Sequence, residues 1–575
     1  MTLAPERIEL DAPLDVEPVS RRARLREGYT PRLDTRRMTL ATPPLPPTTI
    51  LPDALPSAPP GATAHLPQAP GDDELYLYYG AQHRWFIWLR SIATLSSAAS
   101  LVLFSGGAIP LWLFWIPFTI FVGYTFLTHI TTTRKRRVSR FKHEMQMIMW
   151  WPEQFPSVDV FLPCAGEDLA ILENTYRHVA QLDYLGEKRV YVLDDSGRDA
   201  VRELADSFGF TYYARPDRGH MKKAGNLKYG FDHSAGDLIV IFDADFCPRP
   251  DFIRHLAPYF DVEDVAIVQS PQHFDTHREL GWLQRCAGTV QESFYRWAQP
   301  SRHELGAPIC VGTCAIYRRS ALDKSGGFAQ IGHSEDVHTG VNLMKVGFRT
   351  IYVPVILAKG VCPDKLSSFV SQQYRWCAGS MSLLRDRSFH NSPLRYRQRM
   401  CFFTGFGYYI STAVGVFMLP LPTIIMLWFL PDRVRLSNFF WLIPTFLMYP
   451  LIRMIHKTGW TPDTLRVYTI SSFSHAAAIW HTLIGRTAEW VPSGETRKTS
   501  MTSRVTALMV TWTALTNSLM IGGCVRFLLQ GRSPVDVGPV FVVSLLASYT
   551  WLPIAWLAWQ ERRARIHAVA VAVAV

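Results

Sequence analysis

Two aspartate pairs follow short apolar runs, and their residue types and spacing suit ligand chemistry. Asp243 and Asp245 follow Leu-Ile-Val-Ile-Phe, and Asp194 and Asp195 follow Val-Tyr-Val-Leu. Such runs predict buried strands, and carboxylates at the carboxyl ends of parallel strands lie where α/β proteins bind ligands. Asp243 and Asp245 suit Mg²⁺ or Mn²⁺ carrying a diphosphate, because hard cations prefer oxygen ligands. A solvated turn is the ordinary alternative for an Asp-x-Asp motif.

The pair Asp194 and Asp195 is followed by Ser196 and Gly197. An aspartate here can accept hydrogen bonds from a nucleobase N–H or from ribose hydroxyls. The alternative is an Asx turn that leads into the next helix.

A third acidic pair, Glu335 and Asp336, lies after Ser334 and before a helix-like run. The functional interpretation is a general base near the metal site. The alternative is a helix N-cap, since Ser and Asp both favour that position. His333 and His338 lack ligand spacing to another histidine and are interpreted as packing or surface residues.

Gln372, Arg375 and Trp376 lie on a predicted helix just before the second group of apolar segments. Arginine can bind a diphosphate with two parallel hydrogen bonds, and tryptophan offers a flat apolar face to a sugar ring. The alternative is a Trp/Arg anchor at a membrane interface.

The elements that must position these residues are predicted between residues 155 and 365. Short apolar runs at 158–162, 190–193, 238–242 and Val265–Gln269 indicate buried strands, and 169–181 and 200–208 indicate helices between them. Alternating strands and helices predict an α/β domain with a mostly parallel sheet.

Long apolar segments flank this domain. About six of them approach the roughly 20 residues that cross a bilayer. Basic residues at 134–142 predict a cytoplasmic location for this side of the membrane and for the amino terminus. The segment 463–486 mixes Ser, His and aromatic residues and predicts an interfacial amphipathic helix, with a poor membrane helix as the alternative. The predicted spans are residues 85–104, 108–130, 403–430, 439–455, 505–529 and 537–559.

Composition agrees with this mixture of membrane helices and one sizeable soluble domain. The 575 residues are 48% hydrophobic and 19% charged, with a mean hydropathy of +0.04. A typical soluble domain is about 25% charged. Full disorder and a collagen-like chain are excluded by the apolar content and the lack of a glycine period.

The net charge of +11 comes from basic residues that cluster beside apolar runs, at 134–137 and 562–565. This placement favours an anionic membrane face over nucleic acid as the partner. Nine cysteines without a Cys-x-x-Cys pair predict reduced, buried thiols. The acidic, proline-interrupted start does not resemble a signal peptide, so the first spans are expected to act as uncleaved anchors.

Together and in this order, the motifs resemble those of the processive family 2 glycosyltransferases, the cellulose synthase-like group that includes chitin and hyaluronan synthases. The resemblance spans about residues 80–560 and includes Lys223-Ala224-Gly225-Asn226 between the first two acidic motifs. It implies a GT-A fold, an α/β Rossmann-like domain inserted between membrane helices. It also implies a UDP-sugar, a growing polysaccharide, the lipid bilayer and Mg²⁺ or Mn²⁺ as partners.

The resemblance also assigns roles to residues. It implies that Asp336 is the catalytic base and that Asp245 holds the metal. The acceptor end is assigned to Glu335, Gln372 and Trp376. The nucleotide sugar is assigned to Asp194, Asp195, Lys223, Asp243, Asp245 and Arg375.

Some segments depart from the family pattern. The usual first motif is replaced by Pro-Cys-Ala-Gly-Glu at 163–167, and Phe-Phe-Cys-Gly-Ser by Ile-Cys-Val-Gly-Thr at 309–313. The gating loop has no clear copy at 490–498, and no cyclic-dinucleotide-binding domain is recognised after residue 565. These departures leave the linkage and the regulation open.

The expected activity is therefore an inverting, processive transfer of a sugar, most simply glucose, from a UDP-sugar to a β-glycan with coupled secretion. The alternatives are a non-processive transferase making a glycolipid and a synthase using UDP-N-acetylglucosamine. A non-enzymatic membrane scaffold or transporter is the third hypothesis. A bacterial inner membrane is the expected location, with a cytoplasmic catalytic domain.

Polar residues of the later spans, such as Tyr408, Tyr409, Thr412 and Asn517, are candidates for a channel lining, or else for ordinary interhelical hydrogen bonds.

The predicted domains are a disordered tail (1–75), a two-span hairpin (76–132), a GT-A domain (133–365), interfacial helices (366–400), a four-span channel region (401–560) with the interfacial helix (463–486) and a gating-like loop (487–503), and a cytoplasmic tail (561–575).

Overall fold

The computed structural model describes residues 66–80, 82–106, 108–134, 139–486 and 500–574. The predicted disordered tail up to residue 65 lies outside the described residues, as does most of the predicted gating-like loop. All nine cysteines are buried and unpaired, which agrees with the predicted reduced thiols.

Ten strands form two sheets. The strands are β1 (Val158–Cys164), β2 (Lys188–Asp194), β3 (Thr211–Tyr213), β4 (Leu238–Ile241), β5 (Cys247–Pro248), β6 (Val265–Gln269), β7 (His273–Phe274), β8 (Ala315–Arg318), β9 (Arg349–Tyr352) and β10 (Ala358–Gly360).

Helices surround the sheets and form the membrane-like part of the chain. The first eleven are α1 (Asp72–Leu75), α2 (Trp85–Ser105), α3 (Ile109–Trp112), α4 (Trp115–Thr132), α5 (Arg140–Ile148), α6 (Leu169–Ala180), α7 (Asp199–Ser207), α8 (Lys222–Asp232), α9 (Phe252–Leu256), α10 (Trp282–Ser293) and α11 (Gln299–Glu304). The others are α12 (Arg319–Ser325), α13 (Glu335–Lys345), α14 (Leu366–Arg385), α15 (Arg387–His390), α16 (Tyr396–Met418), α17 (Leu421–Phe429), α18 (Leu436–Phe439), α19 (Ile443–Ile455), α20 (Thr464–Leu483), α21 (Ser500–Leu529) and α22 (Pro534–Ala574).

The large sheet has the order β3-β2-β1-β4-β8-β6-β9. Strands β3, β2, β1 and β4 are parallel to one another, while β8 runs antiparallel to both β4 and β6. Every residue of β1, β4 and β6 is buried, as expected for strands covered on both faces. The carboxyl ends of β1, β2, β4 and β6 therefore meet at one edge, and the loop before β8 reaches the same edge.

Among the residues that the structure describes, five helical segments are long and apolar enough to cross a membrane, so this is an integral membrane protein. They are Trp85–Ser105, Tyr396–Phe429, Leu436–Ile455, Met501–Leu529 and Pro534–His567. The predicted span at 108–130 differs, because it is divided into α3 and α4. Helix α4 has 18 residues, and four of its threonines are buried.

Helix α20 differs from the predicted interfacial amphipathic helix at 463–486. Buried residues occur all around it, at Thr464, Val467, Ile470, Phe473 and His475 among others. It packs between α14 and α16, so it has no broad exposed face that could lie on a membrane surface.

The last residues of the predicted disordered tail are ordered, which corrects that boundary. Glu74 forms an ion pair with Lys359 at 2.7 Å, and Leu75 is buried in the main core. Tyr78 is 2% exposed and contacts His273 of the small sheet. The short sequence Leu-Tyr-Leu-Tyr-Tyr at 75–79 therefore attaches the chain before α2 to the sheet domain.

A buried cluster, here named the Glu292 clamp, joins the sheet domain to the loop after α19. Glu292 at the end of α10 accepts hydrogen bonds from the backbone N–H groups of Lys457 and Thr458 at 2.9 Å each, and from Arg296 at 2.6 Å. The side chains of Glu292 and Arg296 are fully buried. A carboxylate satisfied in this way fixes the loop to the helix.

Candidate active site

The turn after β2 holds the first aspartate pair, and the structure gives its members separate local partners. Asp194 is fully buried and accepts hydrogen bonds from the Ser196 N–H at 2.8 Å, the Arg198 N–H at 3.0 Å and the Tyr212 hydroxyl at 3.0 Å. This is the Asx turn that the sequence left open as the alternative to nucleotide binding. Asp194 therefore shapes the turn, and its assignment to the nucleotide sugar stays a prediction.

Asp195 points to a buried arginine that the sequence analysis did not single out. Arg215 donates two hydrogen bonds to it, from Nε at 2.7 Å and from Nη2 at 3.0 Å, and is 2% exposed. The Gly219 N–H donates a third bond at 3.2 Å. Each carboxylate oxygen accepts about two hydrogen bonds, so Oδ1 keeps acceptor capacity for a nucleoside.

The Lys-Ala-Gly-Asn segment starts α8 and crosses the edge of the sheet. Lys223 forms an ion pair with Asp243, lies 3.3 Å from the Gly312 carbonyl oxygen and 3.9 Å from Glu335. Asn226 donates to the Leu193 carbonyl at 2.6 Å, which fastens α8 to the end of β2. Burial by itself would lower the pKa of Lys223. The nearby carboxylates of Asp243 and Glu335 outweigh that effect and raise its pKa.

Asp243 and Asp245 follow β4 and share this edge with Glu167, which follows β1. Burial raises the pKa of Asp245 to about 7, and the nearby Asp243 and Glu167 carboxylates add to the rise. Burial also raises the pKa of Glu167, whose Oε2 accepts from the Ala165 N–H at 2.7 Å. The burial and mutual repulsion of these carboxyl groups thus favour the protonated forms of Asp245 and Glu167 when no cation is bound.

These carboxylates fit a hard divalent cation by the chemistry of the donor set. Oxygen ligands from two or three carboxylates suit Mg²⁺ or Mn²⁺, which are completed by water and substrate phosphates. Across the described part of the chain, no three His, Cys, Asp or Glu side chains are gathered as a ready ligand set. An ion here would share its coordination with the substrate.

Asp336 lies in the first turn of α13, whose N-cap Ser334 has the left-handed φ of 54°. Its Oδ1 accepts from the Val337 N–H at 2.8 Å. Burial and the neighbouring Glu335 raise the pKa of Asp336, while Lys223 lowers it. Gly312 has φ of +74°, and a Cβ on it would lie 2.9 Å from the Asp336 Cβ. Only glycine fits this contact between the loop before β8 and Asp336.

Helix α14 presents Gln372, Arg375 and Trp376 on one face, at the i, i+3, i+4 spacing. Burial lowers the pKa of Arg375, and the charges of Glu335, Asp243 and Glu167 oppose that effect. Arg375 is therefore close to all three acids.

Glycine at 379 allows α14 to approach α13. A Cβ on Gly379 would lie 2.2 Å from the Ser334 Cβ.

Lys222 stands beside Arg375 and is a second residue that the sequence analysis missed. Burial lowers the pKa of Lys222 to about 8, and the Arg375 charge contributes. His333 lies near the same two cations and is neutral near pH 7, because burial, Lys222 and Arg375 lower its pKa to about 4. A positive cluster facing a carboxylate cluster suits a diphosphate with a bound cation.

Three glutamines, here named the glutamine clamp, hold the loop that replaces the family's Phe-Phe-Cys-Gly-Ser motif. Gln269 and Gln299 are fully buried and both donate to the Ile309 carbonyl, at 2.6 and 2.7 Å. Gln272 donates to the Val311 carbonyl at 2.8 Å. The clamp fixes the backbone that contacts Lys223 and Asp336.

The structure thus brings together Lys223, Asp243, Asp245, Glu335, Asp336 and Arg375. Glu167 could have been found by the rule that found the aspartates, since it too follows a buried strand. No local sequence pattern predicts Arg215, Gln269 or Gln299, because their partners are 10 to 40 residues away.

The part of the chain that holds these residues is similar to known proteins. Residues 156–379 match the family model described as glycosyltransferase like family 2. Cellulose synthase 1 of Komagataeibacter xylinus is 31% identical over 318 residues, which are 54% of this chain and 20% of that protein. A UDP-forming cellulose synthase catalytic subunit of Xanthomonas axonopodis pv. citri is 32% identical over 262 residues, covering 43% of this chain and 35% of that protein. The chain spans well under half the length of these curated relatives.

Among solved structures, a mannosyltransferase from Pyrobaculum calidifontis in complex with GDP-Man and Mn²⁺ aligns with 69% of this chain and all of its own. The identity is 17% and the TM-score is 0.43.

The matched region contains the whole large sheet and the acids at its edge, so this part of the chain is similar to family 2 glycosyltransferases. The similarity to cellulose synthases over this region supports the resemblance expected from the motifs, and the mixed α/β sheet flanked by apolar helices agrees with the expected fold class.

Proposed function

We propose that this protein is a processive, inverting β-glycan synthase that transfers glucose from UDP-glucose to the non-reducing end of a growing chain. The observation that carries the proposal is the convergence of Asp243, Asp245 and Asp336 with the cations Lys222 and Arg375 at one sheet edge. The UDP-forming cellulose synthases among its relatives support the choice of glucose. We place the protein in a bacterial inner membrane with its catalytic domain in the cytoplasm.

In the proposed reaction, Asp336 accepts the proton of the acceptor hydroxyl. The acceptor oxygen forms a bond to the anomeric carbon on the face opposite UDP, and the bond from that carbon to the diphosphate oxygen breaks. Burial that raises the pKa of Asp336 also makes it a stronger base. Inversion follows because attack and departure occur on opposite faces.

Arg375 and Lys222 offset the negative charge that grows on the departing diphosphate. A divalent cation held by Asp243 and Asp245 would supply further neutralisation of that charge. Asp195 would receive a nucleoside donor, and Trp376 would stack on a sugar of the acceptor.

The Asp336→Asn substitution tests the assignment. We expect turnover of UDP-glucose to fall by about 10²–10⁴-fold, since a general base contributes on that order. UDP affinity, measured by calorimetry on the purified protein, should stay within about twofold because the fold of α13 is unchanged. Asp323→Asn, at an exposed site on α12, is the matched control. Normal turnover in Asp336→Asn would refute the role.

A path for the product is proposed beside the site, between α16, α4 and α20. Tyr409 and Tyr408 contact His475 with ring centroids 4.8 and 5.6 Å apart, and Tyr124 lies 6.4 Å from Tyr408. Moving sugar hydroxyl groups through hydrocarbon costs free energy because their hydrogen bonds to water are lost. Tyrosine hydroxyls can replace those hydrogen bonds while the aromatic rings contact the apolar faces of the sugars. Thr412 is already hydrogen-bonded to His475 at 2.9 Å, and Asn517 to Ser548. For these two residues the structure favours interhelical hydrogen bonding.

Coupled secretion is tested with protein reconstituted into sealed vesicles and supplied with UDP-[¹⁴C]glucose outside. Protein molecules whose catalytic domain faces the outside should secrete polymer into the vesicle lumen. That polymer should resist added glucanase until detergent opens the vesicles. Polymer that is digested without detergent would contradict coupling. The products of linkage-specific glucanases would also separate a long glucan from a glycolipid or an N-acetylglucosamine polymer.

A further inference from the structure

Arg302, on α11, is a buried arginine that the active site does not use. Its side chain is 4% exposed, and its guanidinium carbon lies 5.9 Å from the centre of the Phe294 ring. Its Nη1 is fully buried and has no hydrogen-bond partner within the described part of the chain. The ionisable groups that interact with its charge are those of Tyr124, Cys401 and Tyr409, and none of these is a carboxylate. A buried guanidinium without an acceptor is costly, so it indicates a partner that the polypeptide does not supply.

A second arginine, Arg90 in the membrane-spanning helix α2, has the same property. Its Nε and Nη2 are buried and lack a hydrogen-bond partner among the residues that the structure covers. Arg90 is half-buried, and its charge acts on Tyr468 of α20 and on His129 of α4. Ionisable residues inside a membrane bundle face its interior or a polar cavity, and they typically mark the route of a substrate.

Four tyrosines, here named the tyrosine row, connect the two arginines: Tyr409, Tyr408, Tyr124 and Tyr468. Tyr409 interacts with the first arginine and with Asp336, so the row begins at the active site. The ring of Tyr408 lies 6.4 Å from that of Tyr124, and both interact with Tyr468, which interacts with the second arginine. All four side chains are partly exposed although they lie among helices, so part of each faces the space between the helices.

His475 adds another polar group to this space. Its side chain is fully buried, and its Nδ1 forms a hydrogen bond of 2.9 Å with the Thr412 hydroxyl. Its ring lies 4.8 Å from that of Tyr409, and its Nε2 has no partner in the described residues. Guanidinium groups are donors only, so a ligand of this space must be rich in acceptor oxygens.

The charge of the tyrosine row decides which oxygen-rich ligand fits. Across the described residues, neither Arg302 nor Arg90 forms an ion pair. A neutral glycan would supply acceptor oxygens but would leave both positive charges without compensation in surroundings of low dielectric constant. A carboxylate supplies two oxygens and the opposite charge, in the planar geometry that a guanidinium binds with two parallel hydrogen bonds. The row is therefore better matched to an acidic glycan than to a neutral one.

We propose that Arg302 and Arg90 are successive binding sites for carboxylate groups on a glycan that moves along the tyrosine row. The inference rests on the proposed function, and it narrows the product from any β-glycan to one that carries acidic units beside glucose. Arg302 meets the chain first, because Tyr409 interacts with both Arg302 and Asp336. The acidic units must be part of the chain before it enters the row, on the side of the active site.

The test measures the affinity of the full-length protein in detergent for two oligosaccharides, by calorimetry and without turnover. One is cellohexaose, and the other is cellohexaose whose C6 hydroxymethyl groups have been oxidised to carboxylates. UDP and Mg²⁺ are present throughout, so that the cations Lys222 and Arg375 are occupied. We expect the carboxylated form to bind about tenfold more tightly, since hydrogen bonds between charged groups are the stronger ones.

Variants then assign this preference to a residue. Arg302→Gln should remove most of it, and Arg302→Lys should keep part of it because the charge remains. Arg435→Gln is the matched control, since Arg435 is exposed just before α18, and it should keep the full preference. A full preference in Arg302→Gln would contradict the role of Arg302.

Melting separates binding from a structural role. Because a buried charge without a partner destabilises a protein, Arg302→Gln should unfold at no lower temperature than the unchanged protein. A lower unfolding temperature together with equal loss of both oligosaccharides would show that Arg302 only supports the fold. Equal affinity of the unchanged protein for the two oligosaccharides would overturn the proposal, because a neutral glycan would then suffice. Lack of UDP-glucose turnover with the preference intact would refute the proposed function and leave the acidic binding sites in place.

Discussion

At the scale of single residues, the most consequential contact is the buried ion pair of Asp195 and Arg215. Arg215→Met leaves Asp195 buried without its main partner, which costs about 3–5 kcal/mol. For a domain of this size we expect the unfolding temperature in detergent to fall by roughly 10 °C. Arg189→Met, which breaks an exposed pair with Glu187, is the control and should cause no measurable change. Equal melting of the two variants would show that the buried pair is unimportant.

The raised pKa of Asp336 predicts how the enzyme activity falls at acidic pH. A base works only when it is ionised, so activity should fall as the pH drops through its raised pKa. The repulsion from Glu335 contributes to that rise, so Glu335→Gln should move the midpoint of the kcat/KM profile to lower pH. Asp323→Asn should leave the midpoint unchanged. A midpoint that stays in place in Glu335→Gln would contradict the coupling of the two acids.

The acids of the site were predictable from the sequence, because each follows a buried strand or opens a helix. Their partners were not. Asp194 and Asp195 are adjacent in sequence, yet their carboxylates have different partners. Asp194 accepts the hydrogen bonds of an Asx turn, whereas Asp195 forms an ion pair with Arg215. Which role each takes depends on the position of α8 and of the loop before it, and that is decided by tertiary packing.

At the scale of elements, the contact between α13 and α14 decides whether Arg375 and Trp376 reach the site. Gly379→Ala places a methyl group within 2.2 Å of the Ser334 Cβ, so the helices must separate. We expect kcat/KM for UDP-glucose to fall at least tenfold, measured by UDP release.

The control for this contact is Gly538→Ala in α22, where a Cβ meets nothing within 4 Å. It should keep its activity, since alanine favours a helix more than glycine does. Full activity in Gly379→Ala would mean that the approach of the two helices is not required.

Strands β1, β2, β4 and β6 of the large sheet were predicted, since uninterrupted apolar runs bounded by turn residues leave few alternatives. The shorter strands β3, β8 and β9 of the same sheet were not predicted. The helices outside the domain were harder. The segment 108–130 is apolar enough to suggest a span, but its threonines pack against other helices. The Ser, His and aromatic residues of α20 suggested a membrane surface, whereas they are buried between helices that lie far from it in the sequence.

At the scale of the whole molecule, the Glu292 clamp joins the catalytic domain to the membrane helices. Glu292→Ala leaves Arg296 and His456 buried beside each other without their carboxylate. We therefore expect a lower unfolding temperature, and a sheet domain that becomes susceptible to proteolysis while the helices remain resistant. Circular dichroism and limited trypsin digestion would measure the two effects. Unchanged melting together with unchanged digestion would show that the two parts are held together elsewhere.

The clamp has a mechanical consequence. Secretion of the product through the bilayer, as proposed, would exert an equal and opposite force on the catalytic domain, directed away from the exit. Without a rigid connection to the membrane helices, the addition of each sugar would displace the catalytic domain instead of advancing the polysaccharide. A fully buried carboxylate that grips a loop through backbone N–H groups resists such a load along several bonds at once. The polymer would then advance by the length of one sugar while the catalytic domain stays in place.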